Sequence, residues 1–225
     1  MKKLDKEELI KSAEAFCKQE SGKYRKELFG VTDGKAIGTF VEHLFQDYLS
    51  KNYEMEVGSS ANGLDLPSVN TDIKVTSIKQ PQSSCPFKDS KQKIYGLGYN
   101  LIVFVYKKVD DTKQKKGMLE FVSCTYIDKS RTADYQTTTG LRQIKENKGN
   151  VDDIFAFLND HKIPADEVTL LKMAKDIFKK SPDVGYLTIS NALQWRLQYG
   201  RIVSLNETID GISPIVKYEA ETDNE

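Results

Sequence analysis

Two carboxylates and a lysine lie close together in the sequence, at Asp65, Asp72 and Lys74. Residues 69 to 76 alternate in the manner of a β-strand, which places Asp72 and Lys74 on the same face. Gathering such charges at the edge of a half-buried strand costs free energy unless a ligand binds there. A divalent cation between the two carboxylates, with the lysine beside a phosphodiester, would make the arrangement favourable. The pattern therefore indicates a metal-dependent nuclease.

Glu42 is a third candidate carboxylate. A helix is predicted from about residue 36 to residue 51, because apolar residues recur there at three- and four-residue intervals. Glu42 lies about 140° around this helix from Ile37, at the margin of the apolar stripe. A residue in that position can reach the edge of a sheet on which the helix packs. The alternative interpretation is an ordinary surface glutamate.

An acid-x-Lys triplet has little meaning by itself, because the sequence contains others. They are Asp33-Gly34-Lys35, Asp89-Ser90-Lys91, Asp111-Thr112-Lys113, Glu146-Asn147-Lys148 and Asp160-His161-Lys162. Each of these lies in an apparent loop or helix end, without an alternating strand pattern or a suitably placed upstream acid. Only the triplet Asp72-Ile73-Lys74 lies in an alternating strand pattern and also has a suitably placed upstream acid, Asp65.

These residues resemble the PD-(D/E)xK nuclease superfamily, and more narrowly the branch with the mismatch-repair nicking enzyme MutH and related type II restriction endonucleases. The resemblance covers residues 34 to 77. Its motifs are Gly38-Thr39-Phe40-Val41-Glu42, Asp65-Leu66-Pro67 and Asp72-Ile73-Lys74. The sequence departs from the superfamily pattern at Leu64, where the name puts proline, and at Asp72, where glutamate is more frequent.

The resemblance implies a site and an activity. Asp65, Asp72 and the Ile73 carbonyl would bind Mg²⁺, Lys74 would position or activate a water, and Glu42 would support the metal shell. The implied activity is Mg²⁺-dependent, sequence-specific hydrolysis of double-stranded DNA by a type II restriction enzyme. Two alternatives stay open, a MutH-like mismatch-repair nicking endonuclease and a catalytically inactive DNA-binding protein on the same scaffold.

A restriction enzyme of this type implies certain partners. Its short target sequence is usually palindromic. This favours a homodimer, because the two-fold symmetry of the protein then matches that of the DNA site. A cognate DNA methyltransferase encoded nearby would favour restriction over repair.

We expect an α/β fold, with a central mixed β-sheet flanked by helices in the restriction-endonuclease-like arrangement and a C-terminal helical elaboration. A single nuclease domain would span residues 1–225, with the catalytic core at about 34–126 and a DNA-contacting elaboration at about 150–225. The predicted helices cover residues 5–20, 36–51, 151–160, 164–180 and 190–199, with a loop at 58–63. The predicted strands cover residues 69–76, 99–106, 118–126 and 201–205.

The distribution of charge suits a polyanionic substrate, although the net charge is zero. Residues 74 to 116 hold ten lysines against three aspartates, a local balance of +7. The alternative is a solvated, lysine-rich surface loop. Basic and amide side chains that could contact DNA are Lys88, Lys91, Lys93, Gln136, Arg142, Gln194, Arg196 and Arg201. Two of these, Gln136 and Arg142, lie in the segment 132–142, which is predicted to be a loop that contacts bases.

The remaining composition excludes some classes of protein. No apolar run approaches the length that spans a membrane. The three scattered cysteines argue for a reducing compartment and against a disulfide framework. The two histidines are too few and too far from other ligand candidates for a zinc site. We therefore expect a cytoplasmic protein without a membrane partner.

Overall fold

A computed structural model of the chain describes residues 2–55, 63–86, 88–191 and 195–219. Most of the predicted loop at 58–63 lies outside these residues. The helices are α1 Lys6–Glu20, α2 Gly34–Ser50, α3 Gln92–Tyr95, α4 Tyr135–Glu146, α5 Val151–Asp160, α6 Glu167–Lys179 and α7 Gly200–Val203. The strands are β1 Lys2–Lys3, β2 Tyr53–Glu54, β3 Thr71–Ser77, β4 Gln82–Cys85, β5 Asn100–Asp111, β6 Lys116–Ile127, β7 Thr188–Asn191, β8 Trp195–Gln198 and β9 Ile212–Val216. Short 3₁₀ helices lie at Lys26–Leu28, Pro67–Val69 and Lys129–Arg131.

The chain divides into two compact units. The first contains residues up to 82, then 100–127 and the chain from 202 onward, and the second contains 83–99 and 128–201. Each unit has its own cluster of buried apolar side chains.

The first unit is built on a four-stranded mixed sheet with the order β3-β5-β6-β9. Strands β3 and β5 are parallel, whereas β5, β6 and β9 pair antiparallel. Helices α1 and α2 contribute to the same core. The ring centroid of Phe16 in α1 lies 4.9 Å from the ring centroid of Phe45 in α2 and 5.7 Å from that of Phe104 in β5. The predicted α/β fold with a mixed sheet flanked by helices is confirmed.

The second unit combines helices α3 to α6 with a three-stranded sheet of order β4-β8-β7. The predicted helix at 151–160 is confirmed as α5, and the one at 164–180 as α6, which begins after the N-cap residue Asp166. Helix α4 occupies a segment for which the sequence suggested a loop. Its N-cap Asp134 accepts a hydrogen bond from the Thr137 N–H, which stabilises the first turn.

Two predicted elements near the C-terminus are wrong. The predicted helix at 190–199 is instead the antiparallel pair β7 and β8, with residues 192–194 outside the described part. The predicted strand at 201–205 is replaced by the short helix α7. The physical reason lies in β8, where buried Trp195 and Leu197 alternate with exposed Arg196 and Gln198. That period of two belongs to a strand on a core.

Within the described ranges, no helix has the length and apolar character needed to cross a membrane. Cys17, Cys85 and Cys124 are all buried and none of them forms a disulfide.

Candidate active site

A tight turn leads into β3 and places Asp65 beside that strand. The backbones of Leu66 and Thr71 exchange two hydrogen bonds, of 3.0 and 3.1 Å, across the 3₁₀ helix between them. Asn70 closes the turn in the left-handed conformation, with φ of 48°, which asparagine tolerates better than most residues. The side-chain amide of Asn100 donates to the Val69 carbonyl at 3.1 Å and ties the turn to β5.

The carboxylates of Asp65 and Asp72 lie in contact. Asp65 Oδ2 accepts a hydrogen bond of 2.8 Å from the Ile73 N–H, and its carboxyl group is also hydrogen-bonded to that of Asp72. Burial raises the pKa of Asp65 to about 7, and the hydrogen bond and negative charge of Asp72 act in the same direction. Two acids this close do not both ionise readily, so Asp65 keeps its proton to a higher pH than an ordinary aspartate does.

Lys74 completes the group on the same face of β3. Its Nζ lies 2.6 Å from Asp72 Oδ2, and the two side chains are only 18% and 10% exposed. The ion pair is therefore shielded from solvent, and the ammonium group is held next to the paired acids. The predicted alternation of the strand is thus realised for Asp72 and Lys74.

Glu42 extends into the same electrostatic environment from helix α2. Burial raises its pKa, the charge of Lys74 opposes this rise, and the charge of Asp72 adds to it. Glu42 also raises the pKa of Asp65 through its charge. The structure therefore brings together all four predicted catalytic side chains, three from β3 and its preceding turn and one from the helix packed against it.

The donor set fits a magnesium ion better than a softer metal. Within the described ranges, no three His, Cys, Asp or Glu side chains form a ready-made metal-binding group. Mg²⁺, however, is usually held by only one or two carboxylates and keeps several waters. Asp65 and Asp72 supply that number of hard oxygen ligands, and their contact is one that a cation would relieve.

The predicted DNA contacts that the structure describes all lie in the second unit. Five are exposed: Lys88, Lys91, Gln136, Arg196 and Arg201. Arg142 is half-buried and donates to the Pro182 carbonyl at 3.1 Å. Gln194 lies outside the described residues.

Lys93 is a less suitable DNA contact than its sequence position suggested. The residue is only 8% exposed. Burial lowers the pKa of its amine, and the charge of Asp134 acts against this. Its surroundings therefore do not favour a contact with a phosphate in solvent.

Sequence reasoning missed Gln46, which lies one helical turn after Glu42. Its side-chain amide donates to the backbone carbonyl of Asp65 at 3.3 Å. Residues four apart share a helix face, so the spacing from Glu42 was the available signal. The contact links helix α2 to the loop that carries Asp65.

The comparisons with known proteins identify the family. The family model "Type II restriction enzyme NspV" matches residues 3–214. The type II restriction enzyme NspV of Nostoc sp. is 47% identical over 211 residues, which cover 94% of this chain and 96% of that protein. No solved structure shows a significant match. The chain therefore belongs to the type II restriction enzyme NspV family, and with it to the site-specific deoxyribonucleases.

Proposed function

We propose that this protein is a Mg²⁺-dependent restriction endonuclease that hydrolyses phosphodiester bonds of double-stranded DNA at a short specific sequence. One observation carries the proposal: Asp65, Asp72 and Lys74 are in contact on β3 and its preceding turn. Membership of a restriction enzyme family makes DNA the substrate on which this chemistry would act. We place the site in the PD-(D/E)xK superfamily, on the motif resemblance.

The carboxylates of Asp65 and Asp72, with the Ile73 carbonyl, would hold the metal. Bound Mg²⁺ supplies Lewis-acid stabilisation of phosphate charge and a water of lowered pKa. The chain's own groups add charge and orientation. Asp72 fixes the Lys74 ammonium at 2.6 Å, so that the amine can donate to the attacking water or to a non-bridging phosphate oxygen. Glu42, half-buried beside them, would orient a further water of the shell.

The partners of the proposal follow from the restriction class. We propose a cytoplasmic homodimer acting on a palindromic site, in a host that protects the site with a DNA methyltransferase. A MutH-like nicking enzyme would instead work as a monomer on one strand. Gel filtration with and without the cognate duplex separates the two, and so does the ratio of nicked to linear plasmid.

The test is digestion of a phage genome of known sequence, with Mg²⁺ or with EDTA, followed by sequencing of the fragment ends. We expect discrete fragments with identical end sequences, formed only with the metal. The Asp72→Asn variant, purified in the same way, excludes a contaminating nuclease if it produces none. Fragments with random ends, or no metal-dependent fragments, would contradict the proposal.

A further inference from the structure

The C-terminal part of the second unit lacks acidic residues. Residues 184 to 201 contain no Asp or Glu, although the chain has 33 acids in 225 residues. The segment includes Arg196 and Arg201 and covers both strands β7 and β8. Because the segment has no carboxylate of its own, its side chains add no repulsion toward a polyanion such as DNA.

Strands β7 and β8 are an antiparallel pair within the three-stranded sheet β4-β8-β7 and are called the ribbon below. The two faces of this ribbon differ. Trp195 and Leu197 on β8 are 1% and 0% exposed and face the core. Arg196 and Gln198 are exposed on the opposite face. Arg196 pairs with Ser190 across the ribbon, and Gln198 pairs with Thr188. The outward face of these two pairs is thus hydroxyl, amide and guanidinium, without an apolar side chain.

Hydrogen bonds from the buried face hold this ribbon in place. Trp195 Nε1 donates to Gln92 Oε1 at 3.1 Å. The backbone N–H of Ile189 donates to Asp134 Oδ2 at 2.7 Å. Just after β8, the hydroxyl of Tyr199 lies 2.6 Å from that of Ser83. Because both strands are fixed, the exposed side chains are presented on a rigid support, which lowers the entropic cost of ordered contacts.

We propose that the exposed face of the β7–β8 ribbon reads base edges in the DNA major groove, through Arg196 and Gln198. The inference rests on the proposed function, and it names the element that determines the DNA sequence recognised. Several DNA-binding proteins place β-strands in a groove of the duplex and read base edges with the exposed side chains. Arginine makes bidentate hydrogen bonds to guanine, and glutamine makes them to adenine.

The spacing of the two side chains sets the spacing of the bases. Residues two apart on a strand are separated by about 6.6 Å. This is close to two nucleotide steps of about 3.4 Å along the duplex. Arg196 and Gln198 therefore contact bases about two steps apart, with Ser190 and Thr188 beside them across the ribbon.

The test selects bound sequences from duplexes with a randomised centre, so it requires neither a known target sequence nor cleavage. We compare the wild type with Arg196→Ala, Arg196→Lys, Gln198→Ala and the control Lys172→Ala, which changes an exposed residue of α6. We expect each alanine variant of the ribbon to lose preference at one position per half-site while keeping the others. The loss of discrimination should be about 5- to 150-fold, as expected for one bidentate contact.

The lysine variant separates base reading from phosphate contact. Lysine keeps the charge but lacks the planar fork of arginine, so Arg196→Lys should also weaken the preference that Arg196→Ala loses. Uniformly weaker binding with an unchanged motif, restored by Arg196→Lys, would overturn the proposal in favour of a phosphate contact. A wild type that selects no motif would also overturn it. A wild type that selects a motif but cleaves nothing would instead contradict the proposed nuclease function.

Discussion

Replacing Asp65 by asparagine should stabilise the metal-free protein at alkaline pH. Burial raises the pKa of Asp65 from its ordinary 3.8 to about 7, and Asp72 contributes through a hydrogen bond and its charge. Asparagine resembles the protonated acid in shape. Its carbonyl oxygen can still accept the hydrogen bond from the Ile73 N–H, and its amide can still donate to Asp72.

The size of the effect follows from proton linkage. Because the folded pKa lies above the unfolded one, the folded state binds more protons over that interval, and stability falls as pH rises from 3.8 to about 7. The destabilisation is absent below this interval and complete above it. Each unit of pKa difference corresponds to about 1.4 kcal/mol, so the full difference sets an upper bound of about 4 kcal/mol. Since the Asp65 side chain is partly exposed, solvent screening reduces this contribution, and we expect about 1–3 kcal/mol.

Urea unfolding in EDTA, near pH 5 and near pH 8, measures this difference. The advantage of Asp65→Asn over the wild type should widen by about 1–2 kcal/mol between the two conditions, because part of the interval lies below pH 5. Asp47→Asn is the matched control, because Asp47 is an exposed acid on helix α2. If Asp65→Asn gains nothing over the wild type at the higher pH, the acids are not in the contact described, and the reasoning fails.

Three further variants test other parts of the structure. Gln46→Ala removes the side-chain amide that donates to the backbone carbonyl of Asp65 at 3.3 Å. Single-turnover cleavage by this variant should be about fivefold slower, with unchanged DNA affinity. A rate equal to that of the wild type would argue against a positioning role for Gln46. Phe45→Ala empties a fully buried site and should cost about 3–5 kcal/mol in urea unfolding, so a cost under about 1 kcal/mol would be inconsistent with this core. Asp134→Asn weakens the cap of α4 and the anchor of β7, and should lower thermal stability by about 1–3 kcal/mol, whereas an unchanged melting temperature would refute that role.

The catalytic centre could be predicted because its signals are local. Asp72 and Lys74 share a strand face by the period of two, and α2 follows from its apolar stripe. The contact between Asp65 and Asp72 depends in addition on the turn closed by Asn70, whose left-handed conformation the pattern alone does not specify. Local periodicity is therefore enough to predict which residues form the site. The distance between the carboxylates of Asp65 and Asp72 depends on the turn.

The C-terminal elements could not be predicted as well, because tertiary contacts decide them. Gln, Trp, Leu and Arg are compatible with a helix by intrinsic propensity, which favoured the wrong structure at 190–199. The strand forms because Trp195 is buried against Gln92, about a hundred residues earlier in the chain. Helix α4 was missed for another reason: the N-cap of Asp134 is a local signal, but its segment was interpreted as a base-contacting loop.

Cleavage measured under single-turnover conditions tests the central claim most directly. Asp72→Asn and Lys74→Ala are compared with Asp111→Asn and Lys113→Ala, which alter an acid-x-Lys triplet at the turn between β5 and β6. With Mg²⁺ and saturating cognate duplex, the first two variants should lose at least about a hundredfold in rate, and the control pair should keep the wild-type rate. Wild-type cleavage by Asp72→Asn or Lys74→Ala would contradict the assignment of the catalytic centre.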